Sequence, residues 1–223
     1  MIPKKIHYCW FGGGEKNLLI QKCMKSWQEH LSGYTFKLWD EKNSPMHHPY
    51  VKKAIEKKQY AFASDYVRLH ALYHEGGIYL DTDMEIVKSL DFFLSNTLFL
   101  GRESSEWINA GIIGSEAKHP AVKKILDRYD TLEGFQTIPK IITPILQSCM
   151  DQHEITIYEE SYFYPYYPFS GGTQLMAMDI KPNTHAIHHW GKSWDSGLLT
   201  QKGGTGLCVL FKNTINKMAD ILR

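Results

Sequence analysis

The sequence predicts an α/β fold in one domain. Three observations predict it: the chain opens strand, helix, strand; short apolar runs recur between helical stretches; and glycine clusters mark where elements stop. At 223 residues the chain is long enough for one good-sized core and short for two.

The first element, "KIHYCWF", reads as a buried strand ended by Gly12–Gly14. In "EKNLLIQKCMKSWQEH", Leu19, Cys23 and Trp27 fall four apart and form a helical stripe. "GYTFKLWD" is a second strand, which makes a β-α-β unit with a parallel pair. "NSPMHHPY" is turn-rich. A helix follows with Phe62, Tyr66, Leu69 and Tyr73 as its apolar face, stopped by Gly76-Gly77. "IYL" is the next strand; "TLFLG", "NAGIIGS", "EITIY" and "HAIHHW" are later ones. Helices are expected at "HPAVKKILDRYD" and at the C-terminus, with one long excursion over roughly residues 131–168. The single domain is expected to run over 1–223, with 195–223 a tail holding an amphipathic helix. There Phe211, Ile215, Met218 and Leu222 stand at helical spacing, with Lys212, Lys217 and Arg223 elsewhere. That helix either packs on the core or lies on anionic lipid.

Formal charge is +1, so the broad basic surface that nucleic acid needs is not expected. Cys9, Cys23, Cys149 and Cys208 are far apart and show no C-x-x-C spacing. They suit a reducing cytoplasm, and "MIPKKIHYCWFGGG" has no signal-peptide run. No stretch of about 18 apolar residues suggests a membrane span. The expected location is cytoplasmic, with peripheral contact to the inner membrane face through the C-terminal helix. Aromatic residues are plentiful, at 13 Tyr, 10 Phe and 6 Trp, and suit stacking on flat rings as well as core packing.

The chemistry concentrates in "GGIYLDTDMEI". In an extended chain Asp81 and Asp83 share a face and Thr82 points away. Two carboxylates that close repel each other unless a cation lies between them or one is protonated. Oxygen ligands suit Mg2+ or Mn2+, which leave coordination positions for phosphate and water. Such a site falls at the carboxyl end of a strand, where open α/β sheets bind ligands. On the preceding helix Ser64, Asp65 and Arg68 line one face. Asp65 can accept from a sugar hydroxyl, and Arg68 can pair with Asp65 or reach a sugar oxygen; otherwise the two are an exposed ion pair of little consequence.

Together "IPKKIHYCWFGG", "SWQEHLSGYTFKLWDEKN", "YAFASDYVRLHALYHEGGIYLDTDME" and "IHHWGKSW" resemble the bacterial members of glycosyltransferase family 32, many of them encoded with capsule or O-antigen polysaccharide genes. More distantly the chain resembles the glucosylating domains of the large clostridial toxins. The similarity runs from about Ile2 to Trp194. It implies a GT-A fold (a Rossmann-like nucleotide-sugar transferase with a mixed central sheet), a nucleotide-sugar donor, a Mn2+ or Mg2+ ion and retention of anomeric configuration. By the same resemblance Trp10 stacks on the donor base, and Ser64, Asp65 and Arg68 hold ribose and sugar hydroxyls. Asp81 contacts ribose and metal, Thr82 belongs with the donor-contacting residues, and Asp83 ligates the metal. His188, or its neighbour His189, supplies a further metal ligand; on a strand the two face opposite sides, and His188 is preferred. Ser193 and Trp194 belong to a segment that closes over the pyrophosphate and stabilises the leaving group. The chain lacks the large helical additions of the toxins, so a toxin-like acceptor is not implied.

Asn109, in "WINAGIIGS", is a candidate to contact acceptor or sugar. The leaving phosphate oxygen could act as base for a same-face attack; a covalent carboxylate intermediate is the other route, and no acid stands out as that nucleophile. UDP is the preferred nucleotide and GDP stays open. The expected acceptor is an oligosaccharide or a lipid-linked saccharide in surface polysaccharide synthesis. Two rivals come from other classes. An aspartyl-phosphate phosphatase also has D-x-D after an apolar strand, but usually with Thr or Val where this chain has Glu85. A non-catalytic nucleotide-sugar-binding protein would be favoured by loss of a metal acid or of the closing Trp, and neither is lost.

Overall fold

The computed structural model describes residues 1–150, 154–168 and 174–191. Strands β1 (Lys5–Cys9) and β2 (Thr35–Trp39) flank helix α1 (Leu18–His30). They pair in parallel, as the opening β-α-β reading requires. Helices α2 (Pro49–Glu56) and α3 (Tyr60–Glu75) lead to β3 (Gly77–Leu80) and β4 (Met84–Ile86). A hairpin of β5 (Leu98–Arg102) and β6 (Ile108–Ser115) is followed by α4 (Pro120–Tyr129) and α5 (Ile138–Cys149). Then come β7 (Ile155–Tyr158), the short α6 (Glu160–Phe163) and β8 (Ala186–His188).

Six strands form a mixed sheet in the order β2-β1-β3-β6-β5-β7, and β4 pairs antiparallel with β8 in a small second sheet. The central strands β3 and β6 are buried along their whole length, so apolar residues serve both faces. Tyr79 points into one core with Val67, Leu72, Ile113 and Ile125. Its neighbours Ile78 and Leu80 point into the other, with Trp27, Met84, Phe93 and Phe163. Trp27 is fully enclosed, and its indole N–H donates to Met84 O at 2.7 Å, fixing α1 across β4.

Gly76-Gly77 is where α3 must turn into β3. Gly77 has φ 113°, and a Cβ there would lie 2.6 Å from Lys5 O. Only glycine lets β3 come this close to β1.

Two helices depart from the expected organisation. The turn-rich "NSPMHHPY" opens α2, with Pro49 in its first turn and Tyr50, Val51 and Ala54 buried. Two helical turns are too few for a periodic stripe to emerge beside turn-forming residues. The stretch 131–168 is not an excursion: it contains α5, β7 and α6. In α5 Ile138, Ile141, Ile142, Leu146 and Cys149 make a buried stripe, while Pro144 sits inside the helix on its exposed side. A mid-helix proline removes one backbone hydrogen bond, yet the buried stripe holds the helix together. On α3, Leu69 is buried as expected, but so are Ala63, Asp65, Val67, Arg68, Ala71 and Leu72, while Phe62, Tyr66 and Tyr73 are partly covered. The tail 195–223, with its expected helix and Cys208, lies outside the described residues, as do Ser193 and Trp194.

Candidate functional site

β1 and β3 are parallel neighbours, so their carboxyl ends lie side by side. Trp10 follows β1 and Asp81 follows β3, and α3 packs over both strands. The acids do not sit on an extended strand, as their spacing suggested. After Leu80 the chain turns, with Met84 N–H donating to Asp81 O at 3.0 Å, and the turn itself brings the carboxylates together. Ligand atoms of Asp81, Asp83 and His188 all lie within 4.8 Å of one another. β8 delivers His188 because Met84 pairs with it across the small sheet.

His188 is the last residue of β8 and His189 follows it, and their side chains diverge as neighbours in an extended chain do. His188 Nε2 lies 3.3 Å from Asp83 Oδ1, while His189 Nε2 meets Glu85 Oε2 at 2.7 Å. His188 Nδ1 is enclosed and without a hydrogen-bond partner, and Nε2 is the nitrogen turned to Asp83. Its ring lies 4.2 Å from that of Trp190, a non-glycine residue at φ 52° whose indole N–H donates to Tyr166 O. Gly191 N–H donates to Asp83 Oδ2 at 2.8 Å.

The electrostatics of the two acids differ. Burial alone would raise Asp83, but His188 and the Gly191 N–H outweigh it and hold the carboxyl down at about 2. Burial raises Asp81; Arg68 opposes this, and the Asp83 charge adds to the rise. For His188 burial opposes the charged form, but Asp83 and then Asp81 raise it overall. Two carboxylates and one imidazole nitrogen converging this closely suit a divalent ion; the carboxylates are ligands that Mg2+ and Mn2+ share, while an imidazole nitrogen is unusual for Mg2+. A cation there would relieve the repulsion that lifts Asp81.

Arg68 is 4% exposed and ties the site to the sheet. It donates to Asp65 Oδ1 at 2.8 Å and to Ala110 O at 2.6 Å, and pairs with Asp81 Oδ1 at 3.1 Å. Its guanidinium stacks 4.5 Å from the Tyr79 ring centroid, and Tyr79 O–H donates to Asp81 Oδ1 at 3.0 Å. The Asp65–Arg68 pair is therefore a buried strut, not an exposed helical pair. Burial raises the Asp65 carboxyl, with Arg68 pulling the other way.

The remaining expected residues are placed as follows. Ser64 is half-buried and donates to Tyr60 O at 3.0 Å. Thr82 is half-buried in the turn between the acids. Trp10 is half-buried beyond β1; its indole N–H donates to Gly14 O at 2.8 Å, and Lys16 Nζ lies 4.8 Å from its ring. Cys9, just before it, is buried against Arg68, Tyr79 and Ser64, and its thiol is pushed up to about 12. Asn109 lies in β6, as the strand reading of "NAGIIGS" expects, and is 7% exposed. Its Oδ1 accepts from Gly111 N–H at 2.7 Å, and its Nδ2 donates to Glu103.

Tyr79, Glu103, Gly111, Tyr164 and Gly191 were not anticipated. Tyr79 was legible, because it stands two residues before Asp81 and so shares its face along the strand. A Cβ on Gly111 would lie 3.2 Å from Asp81 Oδ2, 3.3 Å from Asn109 Oδ1 and 3.3 Å from Tyr164 O–H. Nothing local in the sequence signals those partners.

Residues 18–100 match the family described as "Glycosyltransferase sugar-binding region containing DXD motif". Mannosyl phosphorylinositol ceramide synthase CSH1 of Saccharomyces cerevisiae is 27% identical over 134 residues, covering 56% of this chain and 35% of that protein. An uncharacterized glycosyltransferase of Acanthamoeba polyphaga mimivirus is 32% identical over 136 residues, covering 54% of this chain and 52% of that one. The chain thus spans about a third to a half of the length of these relatives. Among solved structures, the PaToxG glycosyltransferase superposes with TM-score 0.54 at 18% identity, over 67% of this chain and 70% of that one. The glycosyltransferase GlyE of Streptococcus pneumoniae superposes with TM-score 0.57 at 15% identity, over 94% of this chain and 59% of that one. The fold is that of GT-A glycosyltransferases, and residues 18–100 match a glycosyltransferase sugar-binding region of the D-x-D type.

Proposed function

We propose that the chain is a retaining, divalent-metal-dependent glycosyltransferase that moves a hexose from a nucleotide sugar to a saccharide acceptor. The observation that carries this reading is the convergence of Asp81, Asp83 and His188 at the carboxyl edge of the sheet, within the matched region or paired against it. These three residues would hold Mn2+ or Mg2+, which when bound neutralises charge on the pyrophosphate.

The chain's own groups divide the remaining work. Trp10 stacks on the base. Ser64 offers a hydroxyl to ribose or sugar, and Thr82 lies between the metal acids where the donor passes. Arg68 and Tyr79 hold Asp81 at a fixed angle, which is the preorganisation that positioning chemistry needs. Asp65 keeps the Arg68 fork in place and offers its carboxylate to a sugar hydroxyl. Ser193 and Trp194 donate O–H and N–H to the leaving phosphate oxygens as negative charge develops there. Retention requires the acceptor hydroxyl to approach the face that the nucleotide leaves, and the leaving oxygen takes its proton. A covalent carboxylate intermediate is the alternative.

UDP is the preferred nucleotide and GDP the second. The relative named as a mannosyl phosphorylinositol ceramide synthase keeps mannose among the donor sugars and favours a lipid-linked acceptor. A role in surface polysaccharide synthesis fits both. No helix of the described residues is long and apolar enough to cross a membrane. Peripheral contact with such an acceptor through the C-terminal tail is part of the proposal.

The test is a panel of UDP- and GDP-sugars incubated with the protein in Mn2+ and in chelator. Mn2+-dependent release of nucleoside diphosphate from one donor supports the reading. Release from none, with nucleotide bound, identifies a binding protein, and inorganic phosphate from simple phosphoesters identifies a phosphatase.

A further inference from the structure

Glu103 is a buried acid that the proposed chemistry leaves unused. It is 9% exposed and sits where the β5–β6 hairpin closes, with its own N–H donating to Trp107 O at 2.9 Å. Leu100 pairs with Ile113 but Gly101 pairs with Asn109, so the extra residues of the irregularity lie in β6, around Gly111 and next to Asn109. A β-bulge re-aims the side chains that follow it, and the Glu103 carboxylate accepts from Asn109 Nδ2.

A side-chain amide has two orientations that exchange its oxygen and nitrogen. Here three neighbours choose the same one. Gly111 N–H needs the oxygen on its side, at 2.7 Å, and Tyr164 O–H approaches that oxygen at 3.4 Å. Glu103 needs the nitrogen on the other side. The amide is adjacent to the metal acids, since Asp81 Oδ2 and Asn109 Oδ1 both crowd the same point above Gly111. The backbone repeats the link: Asp81 N–H donates to Gly111 O at 2.7 Å. Nδ2 carries two hydrogens, and Glu103 takes one of them.

We infer that Glu103 is a positioning residue: it locks the Asn109 amide so that the second Nδ2 hydrogen is presented to the sugar or acceptor beside Asp81. Burial raises the Glu103 carboxyl while the Asn109 hydrogen bond lowers it. The role needs an acceptor, not a negative charge. This inference rests on the glycosyltransferase reading.

The experiment compares wild type, Glu103→Leu and Glu103→Gln in two ways. Steady-state kinetics use the donor that the panel identifies. The loss of locking in Glu103→Leu should lower kcat by about 10–100-fold with donor KM within about threefold. Glu103→Gln keeps a carbonyl acceptor and should restore most of the loss. The second readout needs no turnover: hydrogen exchange of the Asn109 side-chain amide, followed by NMR. The proton that Glu103 holds should be protected in wild type and Glu103→Gln and should exchange at least tenfold faster in Glu103→Leu. Unchanged exchange in a folded Glu103→Leu protein overturns the inference. So does a Glu103→Gln enzyme as slow as Glu103→Leu, which would mean that the carboxylate itself reacts. A wild type without turnover on any donor counts against the glycosyltransferase reading, while the exchange arm still decides whether Glu103 holds Asn109.

Discussion

Replacing Arg68 with methionine would remove the cation beneath the site while keeping much of the side chain's bulk. The wild-type guanidinium serves Asp65 at 2.8 Å, Asp81 at 3.1 Å and Ala110 O at 2.6 Å. Asp65 is 6% exposed and would be left buried without its partner; the Asp81 side chain is 26% exposed, and water can relieve part of its loss. Removing one member of a buried pair costs about 3–5 kcal/mol. With Asp81 discounted for its exposure, about 4 kcal/mol is expected, or about 8–16 °C in Tm for a chain of this size. The loss depends on pH. Burial raises Asp65 and Arg68 opposes the rise, so without Arg68 the folded value climbs further. A carboxyl whose folded pKa exceeds its unfolded value binds more protons when folded. Its contribution to stability therefore falls as pH rises from about 4 through the folded value. The deficit of Arg68→Met should be smaller at pH 5 than at pH 8, by up to about 1.4 kcal/mol, because the wild-type Asp65 carboxyl already stands at about 7 and one unit remains below pH 8. Urea unfolding of both proteins at the two pH values measures this. A loss under about 1 kcal/mol, or one equal at both pH values, would refute the claim that Arg68 neutralises buried acids.

Three further predictions follow from the site. Trp10→Ala should weaken binding of UDP or GDP by about 1–3 kcal/mol, the scale of a lost base–aromatic stack, in calorimetric titration; Tm should move little, because the ring is half-exposed. Gly111→Ala should place a methyl group 3.2 Å from Asp81 Oδ2, and kcat/KM should fall about 10–100-fold by displacing the carboxylate, with far-UV circular dichroism unchanged. Trp194→Phe keeps a ring and removes an N–H; kcat and kcat/KM should fall together by about 10–100-fold if that donor acts on the leaving group.

The architecture was legible wherever local pattern and tertiary demand agree. The strands around the site are short apolar runs ended by glycine or acid, and they read as continuous runs because both sheet faces are covered. The helices α2 and α5 were hidden for opposite reasons. One is too short to show a stripe, and the other carries Pro139 and Pro144, which local rules read as breaks. Most of the candidate residues lie in three local blocks, around Trp10, Ser64–Asp83 and His188, so spacing and resemblance were enough to nominate them. The reason they converge was not legible. Extended-strand alternation suggested that Asp81 and Asp83 share a face, whereas a turn brings them together. Glu103 and Tyr164 meet Asn109 only through the β5–β6 bulge and the approach of α6, which are long-range events with no local signature. The separation of His188 from His189 was legible, since a strand sends adjacent side chains to opposite faces, and Glu85 receives the second.

The central claim is that Asp81, Asp83 and His188 bind a divalent ion that carries a nucleoside diphosphate. Its most direct test is a Mn2+ titration followed by electron paramagnetic resonance, with UDP and then GDP present, on wild type and Asp83→Asn. The account predicts nucleotide-dependent Mn2+ binding in wild type, and at least tenfold weaker binding in an Asp83→Asn protein whose circular dichroism and melting remain native-like; equal Mn2+ binding by the two folded proteins would contradict it.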